Sequence, residues 1–145
     1  MKILKQIRTA VIIISSLFIA TNAQDIKKTD NGKKTMFNIS SIYIKKDGGK
    51  FDFDYYLNKH MPKSIELLSK GKGFRGVSVE KGIDLKEQNI TSSYVAMCHY
   101  YFDTLENFMS AFMPYSQELQ GDIINYTNIK PIIQINEVKI SKSSK

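Results

Sequence analysis

The stretch FDFDYYLNKHMP, residues 51–62, decides the fold, because it opens an amphipathic helix that continues to Leu68. Its apolar side chains recur at the spacing of one helix face, at Phe53, Tyr56, Leu57, Met61, Ile65 and Leu68. His60 falls on that same face, so we expect a titratable ring to point inward. Asp52 stands where an N-cap belongs, and Pro62 interrupts the backbone hydrogen bonds directly after His60.

Four segments around this helix have the β-branched and aromatic composition of strands. They are Ile39 to Lys45, Gly73 to Lys81, Ser93 to Phe102 and Ile132 to Ile140. A second helix is predicted to start at a cap on Asp103, with Glu106 completing a capping box. Pro114 should interrupt it and Gly121 should end it. The order β-α-β-β-α-β indicates an α+β fold of the ferredoxin-like kind, with both helices on one face of an antiparallel sheet.

The N-terminus has the parts of a secretory signal peptide. Lys2, Lys5 and Arg8 precede an apolar run at residues 10–20, and small residues up to Ala23 suit cleavage. The run is short for a bilayer span, and an uncleaved anchor is the alternative. We therefore expect an exported protein, periplasmic or secreted, with no stable membrane insertion after cleavage.

The predicted organisation has four parts. A signal peptide at 1–23 is followed by a disordered linker at 24–36, a folded domain at 37–140 and a short tail at 141–145.

Much of the net charge of +7 lies in lysine-rich termini and not in a patch interleaved with aromatics, which argues against nucleic-acid binding. The single cysteine, Cys98, forms no internal disulfide, and its apolar surroundings predict a buried, inert thiol.

The third strand indicates a partner, because it does not alternate between apolar and polar residues. Tyr94, Ala96, Cys98, Tyr100 and Phe102 line one face, and Val95, Met97, His99 and Tyr101 line the other. With both helices on one side, the chain has no further layer for the other side. We expect a second copy of the chain to cover it, which makes the protein a homodimer.

His60 and His99, the two histidines of the chain, are the candidate acid–base groups. If His99 faces the helices, both rings could share a pocket with Tyr56 and Tyr101, where a tyrosine would orient a developing oxyanion. The alternative is two unrelated structural histidines. Neither a metal-ligand pattern nor a nucleotide-binding glycine motif is present in the sequence, so we expect neither a metal nor another cofactor.

Four segments together resemble the EthD family: FDFDYYLNKHMP, GFRGVSVEKG, YVAMCHYYFDTLENFMSAF and INYTNIKPIIQINEV. The resemblance covers roughly residues 39–138 and keeps the order of the family. It implies a dimeric α+β barrel, a class with cofactor-free monooxygenases, muconolactone-isomerase-like enzymes and haem-degrading enzymes. The family's tyrosine and histidine before the proline fall on Tyr56 and His60, and its strand histidine falls on His99, followed by Tyr101. An export signal departs from this family and disfavours an oxygenase that depends on a cytoplasmic electron donor.

Two hypotheses about function follow from these residues. The first is an enzyme acting on a small hydrophobic compound, aromatic or carbonyl-containing, by monooxygenase-like or isomerase/lyase-type chemistry. In it, His60 and His99 transfer protons, and Tyr56 or Tyr101 orients the ligand. The second is an exported dimer that binds such a compound without turning it over.

Overall fold

A computed structural model describes residues 35–142, and four antiparallel strands form its sheet. The strands are β1 (Met36–Ile44), β2 (Phe74–Lys81), β3 (Tyr94–Phe102) and β4 (Ile132–Val138), in the order β2-β3-β1-β4. This order is that of the ferredoxin-like fold, so the fold class predicted from the sequence is confirmed. The predicted signal peptide and nearly all of the predicted linker lie outside the described residues. Within 35–142, no helix is long and apolar enough to cross a membrane.

The helical segment between β1 and β2 has three parts. They are α1 (Phe53–Tyr55), a π-helical turn (Tyr56–His60) and α2 (Met61–Leu68). The Asp52 carboxylate accepts from Tyr55 N at 2.9 Å, which confirms the predicted N-cap. Pro62 lacks an N–H, and in the turn before it the Met61 N–H reaches back five residues to Tyr56 O. The segment ends near Gly73, whose φ of +74° favours glycine.

The helical segment between β3 and β4 is interrupted where the sequence predicts. It runs through α3 (Leu105–Phe112), a 3₁₀ turn (Met113–Tyr115) at Pro114, α4 (Ser116–Gly121) and a second 3₁₀ turn (Asp122–Asn125). The predicted cap is wrong by one residue. Thr104 is the N-cap, with its Oγ1 accepting from Asn107 N at 3.1 Å. Asp103 binds Arg75 instead, with its carboxylate 2.5 Å and 2.6 Å from the guanidinium.

The core lies between the helices and one face of the sheet. Alternate residues of β3 are buried there, at Ala96, Cys98, Tyr100 and Phe102. Phe102 packs edge-on against Phe108 of α3, and the Tyr100 hydroxyl lies 2.6 Å from Ser64 Oγ of α2. His99 and Tyr101 therefore face away from the helices, which settles the orientation that the sequence left open. A short 3₁₀ turn (Lys86–Gln88) lies in the β2–β3 connection.

The helix-free face of the sheet is more polar than predicted. Its centre holds polar residues that lie across neighbouring strands from one another: Asn38, Ser40, Ser78, Glu80, His99, Gln134 and Asn136. Apolar residues are restricted to positions around this centre, such as Ile42, Met97 and Ile132. The prediction of a largely apolar face is wrong at the centre, because it weighed only the apolar residues of β3 and β4. All four strands contribute polar side chains to this face, including Gln134 and Asn136 of β4.

Candidate active site

The π-helical turn places His60 beside Asp122, which begins the 3₁₀ turn after α4. His60 Nδ1 lies 2.7 Å from Asp122 Oδ2. An ionised carboxylate only accepts hydrogen bonds, so Nδ1 carries the proton of the neutral ring. The other ring nitrogen, Nε2, is then a free acceptor, and it has no hydrogen-bond partner among residues 35–142.

Asp122 is held in place by two further side chains. The Tyr55 hydroxyl donates to Asp122 Oδ1 at 2.8 Å, and Asn125 Nδ2 donates to the same oxygen at 2.8 Å. Burial raises the pKa of Asp122, but the hydrogen bonds from Asn125, His60 and Tyr55 outweigh burial and bring the pKa below its ordinary 3.8. The carboxylate therefore stays ionised at neutral pH and fixes the orientation of the imidazole.

His60 is neutral at neutral pH despite its acidic neighbour. Its side chain is only 11% exposed, and burial lowers its pKa below the usual 6.5, although the hydrogen bond to Asp122 works in the opposite direction. Two aromatic rings pack against the His60 imidazole. Tyr56 stacks on the imidazole with centroids 5.4 Å apart, and Tyr126 lies 4.7 Å away. An oriented, unprotonated imidazole of this kind is suited to accept a proton.

A cleft of about 290 Å³ opens beside this pair. Its lining comes from both helical segments and is mostly polar: Tyr55, Lys59, His60, Lys63, Glu118, Leu119, Gly121, Asp122 and Asn125. The volume is at the lower end of the range for small-molecule sites, which indicates a small ligand. The lining disagrees with the expected hydrophobic compound, because Leu119 and the Tyr55 ring are its main apolar surfaces.

His99 lies on the opposite side of the sheet, in a network of its own. His99 Nε2 is 2.9 Å from Glu80 Oε2, and Nδ1 is 2.7 Å from Ser40 Oγ. The Ser40 hydroxyl also lies 2.7 Å from Asn38 Oδ1. Ser40 is only 1% exposed, so the network is closed on that side. Nearby, the buried Ser78 Oγ has no hydrogen-bond partner within residues 35–142.

The four predicted site residues therefore separate into two pairs. His60 and Tyr56 lie on the helix side, whereas His99 and Tyr101, with ring centroids 6.5 Å apart, lie on the helix-free side. Because His99 does not face the helices, the two histidines of one chain do not share a pocket. Tyr56 contributes its ring to the site but not its hydroxyl. The residue is only 1% exposed, and its hydroxyl forms a hydrogen bond with the Cys98 thiol.

Cys98 is buried, as predicted, and burial raises the pKa of its thiol to about 12. A reactive thiolate would need the opposite shift. Among residues 35–142, no three histidine, cysteine or acidic side chains lie close enough together to hold a metal ion. The chemistry of the cleft therefore depends on the groups around His60.

Sequence reasoning missed Asp122, Tyr55 and Asn125. Asp122 lies 62 residues from His60 and looked like the end of a helix closed by Gly121. Tyr55 is adjacent to Tyr56, which the sequence predicted as a site residue, but Tyr55 falls outside the apolar helix face on which that prediction was based. A signal was available in the motif Asp122–Asn125, since an acidic residue followed by an amide three positions later places both side chains on one face of a helical turn.

Comparison with known proteins places the chain in a family. The family model described as the EthD domain matches residues 49–129, which include His60, Asp122 and every residue lining the cleft. The chain belongs to the EthD family. None of the curated proteins matches it.

Solved structures support both the family and the fold. An EthD-like protein from Ralstonia eutropha JMP134 is 35% identical, with a TM-score of 0.67 over 76% of this chain and 97% of that one. An EthD family protein from Bacillus halodurans C-125 is 23% identical, with a TM-score of 0.52 over 71% of this chain and 98% of that one. The hydroxynitrile lyase from Passiflora edulis is 8% identical, covers 76% of this EthD chain and 98% of its own, and has a TM-score of 0.52, which shows a shared fold alone.

Proposed function

We propose that this EthD protein is a small acid–base enzyme of the isomerase or lyase type, with His60 as its general base. The observation that carries the proposal is the unpaired Nε2 of a ring whose Nδ1 is fixed by Asp122. Burial keeps the pKa of His60 below 6.5, so the base is unprotonated at neutral pH. A small carbonyl compound is the substrate class that such a base acts on, because the carbonyl acidifies the adjacent C–H bond.

The reaction moves one proton and needs no external electron donor. Nε2 takes a proton from the carbon next to the carbonyl, and the electron pair of the C–H bond passes to the carbonyl oxygen as an enolate. The imidazolium that forms is paired with Asp122 at 2.7 Å, which stabilises its charge. Nε2–H then returns the proton to another carbon or to a leaving group, which completes an isomerisation or an elimination.

The direct test is proton exchange in D₂O with small ketones, hydroxyketones and keto acids, followed by ¹H NMR. We expect the protein to catalyse deuterium incorporation at the carbon next to the carbonyl in at least one compound, and His60→Gln to abolish it. His99→Gln, which alters the other histidine on the far side of the sheet, should retain it. Ligand binding without any His60-dependent exchange across the panel would contradict the enzyme and favour the non-catalytic binding protein.

The proposal includes export and a homodimer formed through the helix-free face. The basic and apolar N-terminus supports export. Apolar residues around the polar centre of that face, among them Ile42, Met97 and the 48% exposed Ile132, support a second copy as its cover. Sedimentation should give a dimer for the chain lacking residues 1–23 and a monomer for its Met97→Glu variant. A well-folded wild-type monomer at all concentrations would contradict the dimer.

A further inference from the structure

The acidic groups lining the cleft already have hydrogen-bond or ion-pair partners within the protein. Glu118 is paired with Lys63 across the two helical segments. Asp122 receives hydrogen bonds from His60, Tyr55 and Asn125. Neither carboxylate is therefore available to bind a cationic group of a ligand without losing a partner within the protein.

Lys59 is the cleft lysine that lacks an acidic partner among the described residues. Its ammonium lies over the ring of Tyr55, 5.2 Å from the ring centroid. Tyr55 itself donates to Asp122, so Lys59 is positioned on the same wall as the proton-accepting pair. A ligand that enters the cleft can therefore contact the Lys59 ammonium, which forms no ion pair with the described residues.

From this charge arrangement we infer that the cleft binds a small organic anion, with its carboxylate against the Lys59 ammonium and its reacting C–H group toward His60. The inference rests on the proposed function and narrows its substrate class from carbonyl compounds to keto acids and related carboxylates. It also replaces the hydrophobic compound that the sequence alone suggested. The small cleft volume suits a compact acid better than an extended one.

The test compares benzoate with benzamide, which share a ring and differ in charge. The C2–H resonances of the two histidines are followed by NMR at neutral pH and assigned with His99→Gln. We expect benzoate to shift the His60 resonance and raise its pKa, since an adjacent anion favours the imidazolium, whereas benzamide should cause little change. Lys59→Gln should weaken benzoate binding roughly tenfold. Lys72→Gln, at an exposed lysine that does not line the cleft, is the matched control.

Three results would overturn the inference. They are equal responses to both probes, no response to either, and equal benzoate affinity in Lys59→Gln and Lys72→Gln. Failure of the proposed function is distinguishable, because it appears in the D₂O exchange experiment with uncharged ketones as well as with keto acids. If exchange is His60-dependent but shows no preference for a keto acid over its methyl ester, the general base stands and the anion-binding inference fails.

Discussion

The helix side and the helix-free side of the sheet each carry one histidine within hydrogen-bond distance of a carboxylate. The two histidines differ in whether their second ring nitrogen is free to contact a ligand. His60 uses one ring nitrogen on Asp122 and leaves Nε2 open beside a cleft. His99 has both nitrogens within hydrogen-bond distance of other groups, Ser40 and Glu80. A histidine–carboxylate contact alone therefore does not identify a base, because the second nitrogen must also be free to meet a substrate.

The largest difference between the two sides should appear in catalysis. We expect His60→Gln to reduce the rate of D₂O exchange by about 100- to 10,000-fold, the usual contribution of a general base. The matched change on the other side, His99→Gln, should leave the rate within a few-fold. Similar losses in both variants, with the fold intact by circular dichroism, would remove the distinction between the two sides.

Asp122 should matter for catalysis because it orients the His60 ring. Asp122→Asn removes the charged acceptor of Nδ1–H, so the favoured tautomer is lost and the rate should fall about 10- to 100-fold. Because Asp122 raises the pKa of His60 against the effect of burial, that pKa should fall further in the variant. The pH–rate profile measures both effects. A profile unchanged in height and inflection would show that Asp122 does not act on His60.

Neighbouring tyrosines offer a smaller and more selective comparison. Tyr55→Phe removes a hydrogen bond to Asp122 and should lower the exchange rate severalfold, because the carboxylate is held less firmly. Tyr56→Phe keeps the ring that stacks on His60 and should leave the rate nearly unchanged. Steady-state exchange rates decide between them. A larger loss in Tyr56→Phe would assign the orienting role to the residue that the sequence suggested.

The helix-free side should matter for stability and not for chemistry. Ser40→Ala leaves His99 Nδ1 and Asn38 Oδ1 without a shared partner, so the free energy of unfolding should fall by about 1–3 kcal/mol. Ser41→Ala, one residue away on the opposite face, is the control and should have a smaller effect. Urea unfolding measures both. Equal stabilities would show that water replaces the network at no cost.

Acid should destabilise the helix side through His60. Its pKa is below 6.5 in the folded protein, so the unfolded chain binds the proton first as the pH falls. Stability contributed by the neutral ring is therefore present above pH 6.5 and is lost as the pH falls below that value. Urea unfolding at pH 7 and at lower pH should show a smaller loss in His60→Gln than in the wild type. A larger loss in the variant would reverse the assigned sign.

The comparison of the two sides also shows how far the sequence could lead. The strands, the Asp52 cap and the break at Pro114 were predictable, because each depends on residues close in sequence. Which face of β3 meets the helices was not predictable, since both of its faces are apolar enough to be buried. The spacing of Asp122 and Asn125 was visible in the sequence, but the contact between Asp122 and His60 was not predictable, because it depends on two helical segments packing side by side.

Titration of His60 followed by ¹⁵N NMR decides whether this ring is the neutral base that Asp122 orients. We expect His60 to be neutral at pH 7, to carry its proton on Nδ1, and to titrate with a pKa below 6.5 that shifts in Asp122→Asn. The ¹⁵N chemical shifts of His99 at pH 7 should not change on that substitution, because the sheet separates the two residues. A neutral His60 ring that carries its proton on Nε2, or a His60 pKa at or above 6.5, would show that His60 is not a neutral base oriented by Asp122.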